Sequence, residues 1–506
     1  MANNSLSENY DILGSLSLDE LYQLPSSTLY RFLSSLRKDR YEPSERIVFY
    51  NYGKITDNLL DHLCWAIKYL DISDYFILVI SNQLRTVEFL KDKIPVELVN
   101  HPEISNQVSD KIFGSQNPYC AHAWAGIHLS PDGTARACCD SKQWIRKPNG
   151  ELYNINNDSI MEILDSQWMK DFRNSFRNNE KHPNCSSCFS REQVGQESRR
   201  TIAPYKLENV YGLIDWEDEG QLMYFGGHLG NLCNFKCRIC NESYSSSIAN
   251  EKLATLPKQD QKTSRYYLAN KNSNWVMSDE FWQRLKEEDG IINFEILGGE
   301  PFYLKQNIEF VKWLAKSNRG KQSILYFSTN GSSFPLKDYI KDFYRVEVTV
   351  SIDNIGEMFE LERPGLKWKN IENNVKIMIE HQKNLPNFKL DVCITANIQN
   401  IYYLPETLNW IRDIGFNSYY INYVHFPEEM SLNKLTAAAQ NLILDKFSTI
   451  NFDAFQKDTI GVVDFVKNAE LSDGTEFCKK MKELDELRNQ DFRKTHPDIA
   501  KAMGYE

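Results

Sequence analysis

Three cysteines, Cys233, Cys237 and Cys240, stand together in a C-x3-C-x2-C run. Three thiolates on one short loop can hold three corners of a cubic iron–sulfur cluster. The fourth iron is then left without a protein ligand. An open iron is a place for chemistry, whereas four cysteines normally close a cluster for electron transfer. Structural zinc is the competing reading, but zinc takes four ligands and its cysteines usually come as paired C-x2-C knuckles. Further along lies Gly298-Gly299-Glu300-Pro301. Two glycines there let a ligand approach the backbone, and a glutamate can accept hydrogen bonds from an ammonium group.

A second cysteine group lies upstream. Cys120, Cys138, Cys185 and Cys188 form C-x17-C followed by C-x2-C. Asp132-Gly133 reads as a hairpin turn between Gly126–Leu129 and Thr134–Ala137. A hairpin carrying a cysteine on each arm, with a C-x2-C knuckle, can supply four thiolates. Such a set suits a closed cluster and also suits zinc. Cys139 neighbours a ligand but points away from the same site. Cys64, Cys393 and Cys478 read as packing residues. His122 and His128 flank the hairpin and read as structural or surface residues before ligands. Glu362-Arg363-Pro364-Gly365 reads either as a substrate contact or as a loop with a salt bridge.

The elements that must position these residues follow from periodicity. Strand-like runs occur at Leu222–Phe225, Asn293–Leu297, Ile324–Ser328, Val346–Ile352, Leu390–Ala396 and Tyr419–Val424, with helical patterns such as Ile308–Ser317 and Ile371–Gln382 between them. The alternation predicts an α/β fold with a parallel sheet and right-handed crossovers. Six units are too few for a closed eight-stranded barrel, so an open (βα)6 partial TIM-type barrel is expected, with its active site at the strand C-termini. The cysteine loop follows the first strand, with Gly226, Gly227 and Gly230 expected to give it freedom to wrap a cluster. The expected organisation is a small α/β domain over 1–115, a Cys-rich hairpin module over 116–205, the barrel over 215–430 and a helical extension over 431–506. In the first domain, Arg46–Tyr52, Phe76–Ile80 and Val96–Val99 read as strands, with helices over 59–70 and 85–93. No G-x-G-x-x-G follows its first strand, so nucleotide binding is not supported there.

Composition narrows the class. A net charge of -11 argues against a broad phosphate-binding surface, so a nucleic-acid substrate is not expected. The longest apolar runs are strand-sized, too short to span a bilayer. The first residues show no signal-peptide pattern, so the 11 cysteines are expected as reduced thiols in a cytoplasmic protein.

The C-x3-C-x2-C run, with G-G-E-P closing the second strand, resembles the radical S-adenosylmethionine (SAM) superfamily over roughly Met223 to Pro427. The resemblance implies a 4Fe–4S cluster on Cys233, Cys237 and Cys240, with SAM chelating its open iron. It implies that Gly298, Gly299 and Glu300 hold the methionine amino group and that Pro301 shapes the turn. Later strand ends then offer Ser328, Asn330, Ser351, Asp353 and Thr395 as polar contacts, with Val424 against adenine. One residue departs from the pattern: Ile239 stands where the family often has an aromatic. The four upstream cysteines are similar to the Twitch half of SPASM/Twitch extensions, which usually follow the barrel. That likeness implies an auxiliary 4Fe–4S cluster.

The implied reaction begins with an electron from a flavodoxin- or ferredoxin-type donor. SAM is cleaved to methionine and a 5′-deoxyadenosyl radical, which takes hydrogen from a small-molecule or peptide substrate for a net oxidation or rearrangement. Many relatives with this extension mature ribosomal peptides and often carry a winged-helix leader-binding domain. The N-terminal unit does not read as one. The rival from another class is a non-catalytic iron–sulfur or zinc adaptor.

Overall fold

A computed structural model describes residues 46–50, 76–80, 96–99, 119–193, 198–211, 213–214, 219–450 and 457–506. The helices expected over 59–70 and 85–93, and Cys64, lie outside the described residues. Contacts divide the chain into two compact units. One comprises Met1–Ile127, Asp140–Glu151 and Ile160–Tyr224, the other His128–Cys139, Leu152–Ser159 and Phe225–Glu506.

The first unit contains a three-stranded parallel sheet of β1 (Arg46–Tyr50), β2 (Phe76–Ile80) and β3 (Val96–Val99) in that order. Its cysteine-bearing part is built on aromatic packing. Trp124 is fully buried and stacks on Tyr119, and Phe176 lies beside it. Phe176 comes from α1 (Gln167–Arg177), capped by Ser166, whose hydroxyl accepts from the Met169 amide. The cap satisfies a backbone donor that the helix leaves unpaired. Arg173 of the same helix is fully buried, and its guanidinium donates to the Ala123 and Leu164 carbonyls. Next along the chain is α2 (Ser186–Gln193).

The second unit is organised by a mostly parallel sheet. A hairpin supplies β4 (Gly126–Leu129) and β5 (Ala135–Arg136), paired antiparallel around Gly133, whose φ is +85°. Then come β6 (Tyr224–His228), β7 (Asn293–Leu297), β8 (Ile324–Thr329), β9 (Arg345–Ser351), β10 (Phe388–Ala396) and β11 (Tyr419–Tyr423). The eight strands lie in the order β11-β10-β9-β8-β7-β6-β4-β5. From β7 to β11 every pairing is parallel. The helices of this unit include α3 (Ser246–Ala254), α4 (Lys305–Lys316), α5 (Gly356–Glu362), α6 (Trp368–Asn384), α7 (Leu404–Ile414), α8 (Ala437–Ser448) and α9 (Thr475–Arg488). Helix α4 connects β7 to β8, α5 and α6 connect β9 to β10, and α7 connects β10 to β11, as parallel neighbours require.

The sheet is two-faced. Val346, Val348 and Val350 of β9 and Leu390, Val392 and Ile394 of β10 are buried at 0 to 1% exposure. The alternate residues are polar: Glu347, Thr349 and Ser351 on β9, Asp391, Cys393 and Thr395 on β10. Register aligns Thr349 with Asp391, Ser351 with Cys393, and Thr395 with Asn422 of β11. Successive side chains leave a strand on opposite sides, so these form one polar face. Parallel strands covered by helices on both faces read as continuous apolar runs; these do not.

One expectation is corrected. The first strand of this series begins two residues later than its apolar run suggests and extends through Gly226 and Gly227 to His228. The two glycines are therefore sheet residues, not loop residues. A Cβ on Gly227 would meet Leu129 backbone and side-chain atoms at 2.9 Å, so glycine there admits the hairpin strand. Only Gly230, with φ +72°, serves the loop.

Candidate active site

The parallel order puts the C-terminal ends of β7 to β11 at one edge of the sheet. The cysteine loop is knitted to that edge. The Leu229 amide donates to the Leu297 carbonyl, and the Glu300 amide to the Leu232 carbonyl. A Cβ at Gly299 would stand 2.5 Å from the Asn231 and Leu232 carbonyl oxygens. Glycine is required there so that the two segments can touch.

Glu300 is buried at 1% exposure and its carboxylate is fully engaged. Oε1 accepts from the Phe302 amide and the Thr329 hydroxyl at 3.1 and 2.7 Å, and Oε2 from the Asn330 amide at 2.7 Å. Burial pushes its pKa up to about 7, against the pull of those three donors. Asn330 Nδ2 continues to Asn234 Oδ1 at 2.9 Å, inside the cysteine loop. Thr329, which sequence reasoning missed, is the residue of that strand end that meets Glu300. Ser328 leaves the strand on the other, polar face.

Other contacts fix the loop. At the start of α3, the Ser246 hydroxyl accepts from the Cys233 amide and the Ser247 hydroxyl donates to the Cys233 carbonyl. On the other side, the Lys236 amide donates to the Pro364 carbonyl and the Arg238 amide to the Glu362 carbonyl, both at 2.8 Å. Gly365 faces the Phe235 ring so closely that a Cβ would stand 2.1 Å from it. The Glu362–Gly365 segment is thus a brace for the loop. It also carries an ion pair, since Arg363 Nε donates to Asp353 Oδ2 at 2.7 Å with both side chains buried. Asp353 Oδ1 accepts from the Thr395 amide at 2.8 Å. The Val424 amide donates to the Ala396 carbonyl, and Val424 is buried.

Cys233 is buried, and Cys237 and Cys240 are half-buried. Burial, and then the adjacent thiolates, push Cys233 and Cys240 up to about 12. Burial also raises Cys237, but the nearby Arg363 and Arg488 guanidinium charges pull it down. Among the described residues no three His, Cys, Asp or Glu side chains stand grouped as metal ligands. The donor set nonetheless suits iron. Three soft thiolates crowded where they repel one another gain from a cationic partner. The Phe235 amide also points at Cys233 Sγ at 3.4 Å, a bond that favours the thiolate.

The upstream cysteines are placed differently. Cys120 precedes a short helix, Ala121–Ala125, and Cys185 ends a turn whose backbone bonds His182. Cys188 is buried on α2, and burial raises its pKa against the Arg200 backbone donor. All three belong to the first compact unit, Cys138 to the second. His122 and His128 are both buried, at 1 and 2% exposure, and His122 Nε2 accepts from Arg199. Cys393 is buried on β10, where Asn422 Nδ2 lies 3.5 Å from its sulfur, and the Cys478 thiol faces the Met503 carbonyl at 3.3 Å.

Residues 120–189 match the family model for SPASM, an iron–sulfur cluster-binding domain. The match spans all four upstream cysteines, Cys120, Cys138, Cys185 and Cys188. The matched stretch precedes the C-x3-C-x2-C loop. Among solved structures, the chain is similar to anSMEcpe with bound AdoMet, at 14% identity and TM-score 0.31, over 53% of this chain and 65% of that one. It thus spans less than two thirds of anSMEcpe. It is also similar to Streptococcus suis SuiB bound to precursor peptide SuiA, at 10% identity and TM-score 0.30, over 65% of this chain and 70% of that one. A third likeness is TYW1 with a lysine-pyruvate adduct, at 14% identity and TM-score 0.24, over 51% of this chain and 72% of that one. No curated protein matches the chain in sequence. Among the described residues no helix is long and apolar enough to cross a membrane.

Proposed function

We propose that this chain is a radical SAM enzyme whose strands β6 to β11 form an open (βα)6 barrel around the substrate. The observation that carries the reading is one edge of a parallel sheet bearing the three-cysteine loop, the Gly298–Pro301 turn, Asn330, Asp353 and Arg363. The polar face described above runs inward from that edge. A polar row beneath an otherwise apolar sheet suits a lumen that receives a polar substrate.

When bound, the cluster and SAM supply reductive C–S cleavage and a 5′-deoxyadenosyl radical that takes hydrogen from substrate. The protein's share is positioning. Gly298, Gly299, Glu300 and Pro301 seat the methionine amino group, with the engaged Glu300 carboxylate fixing the turn rather than swinging to the ligand. Asn330 and Ser328, Ser351 and Asp353, and Thr395 offer polar contacts to the rest of SAM, and Val424 an apolar wall for adenine. Arg363, held by Asp353, keeps positive charge beside Cys237. Cys120, Cys138, Cys185 and Cys188 would hold an auxiliary cluster, which would supply one-electron transfer when bound. A flavodoxin- or ferredoxin-type protein supplies the first electron.

Anaerobically purified protein is expected to be brown, with about eight irons per chain. With dithionite it is expected to convert SAM to 5′-deoxyadenosine. A colourless, zinc-loaded chain with no such product would instead identify a zinc-stabilised adaptor.

A further inference from the structure

The residues flanking Cys237 are both charged, and both are tied to the same distant helix. Arg238 is buried at 1% exposure. Its Nη2 donates to Asp485 of α9 and, at 3.0 Å, to Gln490, while its Nε donates to the Leu361 carbonyl. Lys236 Nζ pairs with Glu251 Oε1 of α3 at 2.8 Å, and Glu251 Oε2 accepts from Arg488 Nη2 of α9 at 2.8 Å. Asp485 and Arg488 are three apart on α9 and so share a helix face. Asp485 is itself held by the Phe492 amide and the Tyr505 hydroxyl. A third tie reaches the brace, where His496 lies 2.8 Å from Glu362 Oε1.

Surface ion pairs are worth little, but the Arg238–Asp485 and Arg488–Glu251 pairs are enclosed, while the Lys236 side chain is 37% exposed. Arg238 and Arg488 side chains are 0 and 4% exposed, Asp485 and Glu251 8 and 10%. Arg488 carries a further signal. Its Nη1 is buried and has no hydrogen-bond partner among the described residues. A buried donor left unpaired is costly and calls for an acceptor. Cluster thiolates and sulfides are acceptors, and Arg488 is tied through Glu251 to Lys236, the residue next to Cys237.

We propose that the face of α9 bearing Asp485 and Arg488 is a positioning clamp on the cluster loop. Asp485 fixes Arg238, and hence the spacing of Cys237 and Cys240. Arg488 fixes Lys236 through Glu251 and brings a spare buried N–H and a positive charge to the support of that loop. The inference rests on the radical SAM reading of the loop and assigns to it a device from the C-terminal extension.

The test uses full-length anaerobic protein and the change that SAM causes in the EPR signal of the reduced cluster. Asp485→Asn, Arg488→Gln, Arg488→Lys and the control Glu483→Gln are compared with the unaltered chain. Glu483 pairs with Lys252 between the same two helices without touching the loop. Arg488→Gln is expected to move the potential of the SAM-responsive cluster to more negative values, because a nearby positive charge favours the reduced form. Arg488→Lys is expected to restore most of that shift, and Glu483→Gln to match the unaltered chain. Asp485→Asn is expected to lose the SAM-responsive signal to a chelator about tenfold faster, the scale of lost outer-shell support. Should Asp485→Asn fail to fold, the Arg488 series decides alone. Arg488→Gln with unchanged potential and chelation rate, against a chain that does respond to SAM, overturns the clamp. An unaltered chain with no SAM-responsive cluster instead overturns the functional reading.

Discussion

The two cysteine groups of this chain are positioned in opposite ways. Cys233, Cys237 and Cys240 sit on a loop bonded on every side: to the Gly298–Glu300 turn, to the serines opening α3, to Glu362–Gly365, and to α9. All of those partners lie in one compact unit. The upstream four are divided, with Cys120, Cys185 and Cys188 in one unit and Cys138 in the other. Polypeptide packing within one unit therefore defines the first site. Such packing suits the chemistry proposed for that loop, because an open iron that must meet a ligand needs rigid support.

The largest test of this contrast removes one thiol from each site. Cys237→Ala is expected to abolish 5′-deoxyadenosine formation and leave about half the iron, with little change in thermal melting, because the loop is held by its backbone. Cys185→Ala is expected to spare uncoupled SAM cleavage and to stop product formation. Its iron-depleted protein should also lose hydrogen-exchange protection around 185–189 while 229–240 stays protected. Equal loss of protection at both sites would erase the distinction.

Next in size is the ion pair behind the loop. Asp353→Ala strands the buried Arg363 charge and is expected to cost about 3–5 kcal/mol in denaturant unfolding. A cost under about 1 kcal/mol would mean that the pair is solvated and that the brace is weak. The pH dependence comes third. His228 ends the strand that feeds the loop, and burial pushes its pKa down to about 4, against Glu295 and the Gly298 backbone. A histidine held neutral by the fold stabilises above its unfolded value of about 6.5. That contribution is lost as pH falls from there through about 4. The loss amounts to about 3 kcal/mol, and His228→Gln should flatten that limb of the stability curve. The smallest expected effect is Gly299→Ala, which must displace two carbonyl oxygens and should lower stability by about 1–3 kcal/mol. SAM binding is expected to fall with it, since the same contact seats the turn.

Much of this site is legible in the amino-acid sequence. The thiol spacing, the G-G-E-P turn and the strands that end beside them are local signals, carried by neighbours along the chain. Strand positions agree within a few residues, and the shift at Gly226 and Gly227 has a cause that no local pattern carries: Gly227 answers to Leu129, nearly a hundred residues earlier. The same limit explains the omissions. Thr329 looks like an ordinary strand residue until Glu300 is beside it. Arg238 looks like a solvent-facing charge between cysteines until Asp485 of α9 meets it. Glu362–Gly365 leaves two readings open in the sequence, and a long-range contact with the loop backbone gives it a structural part.

The tie between Arg238 and Asp485 joins positions separated by 247 residues. During synthesis the ribosome releases the first long before it makes the second. Translation at about 5–20 residues per second leaves the cluster loop without its brace for about ten seconds or more. On the clamp proposed above, metallation of the loop is expected late in biogenesis, and a nascent polypeptide stalled before α9 is expected to be a poor acceptor for iron.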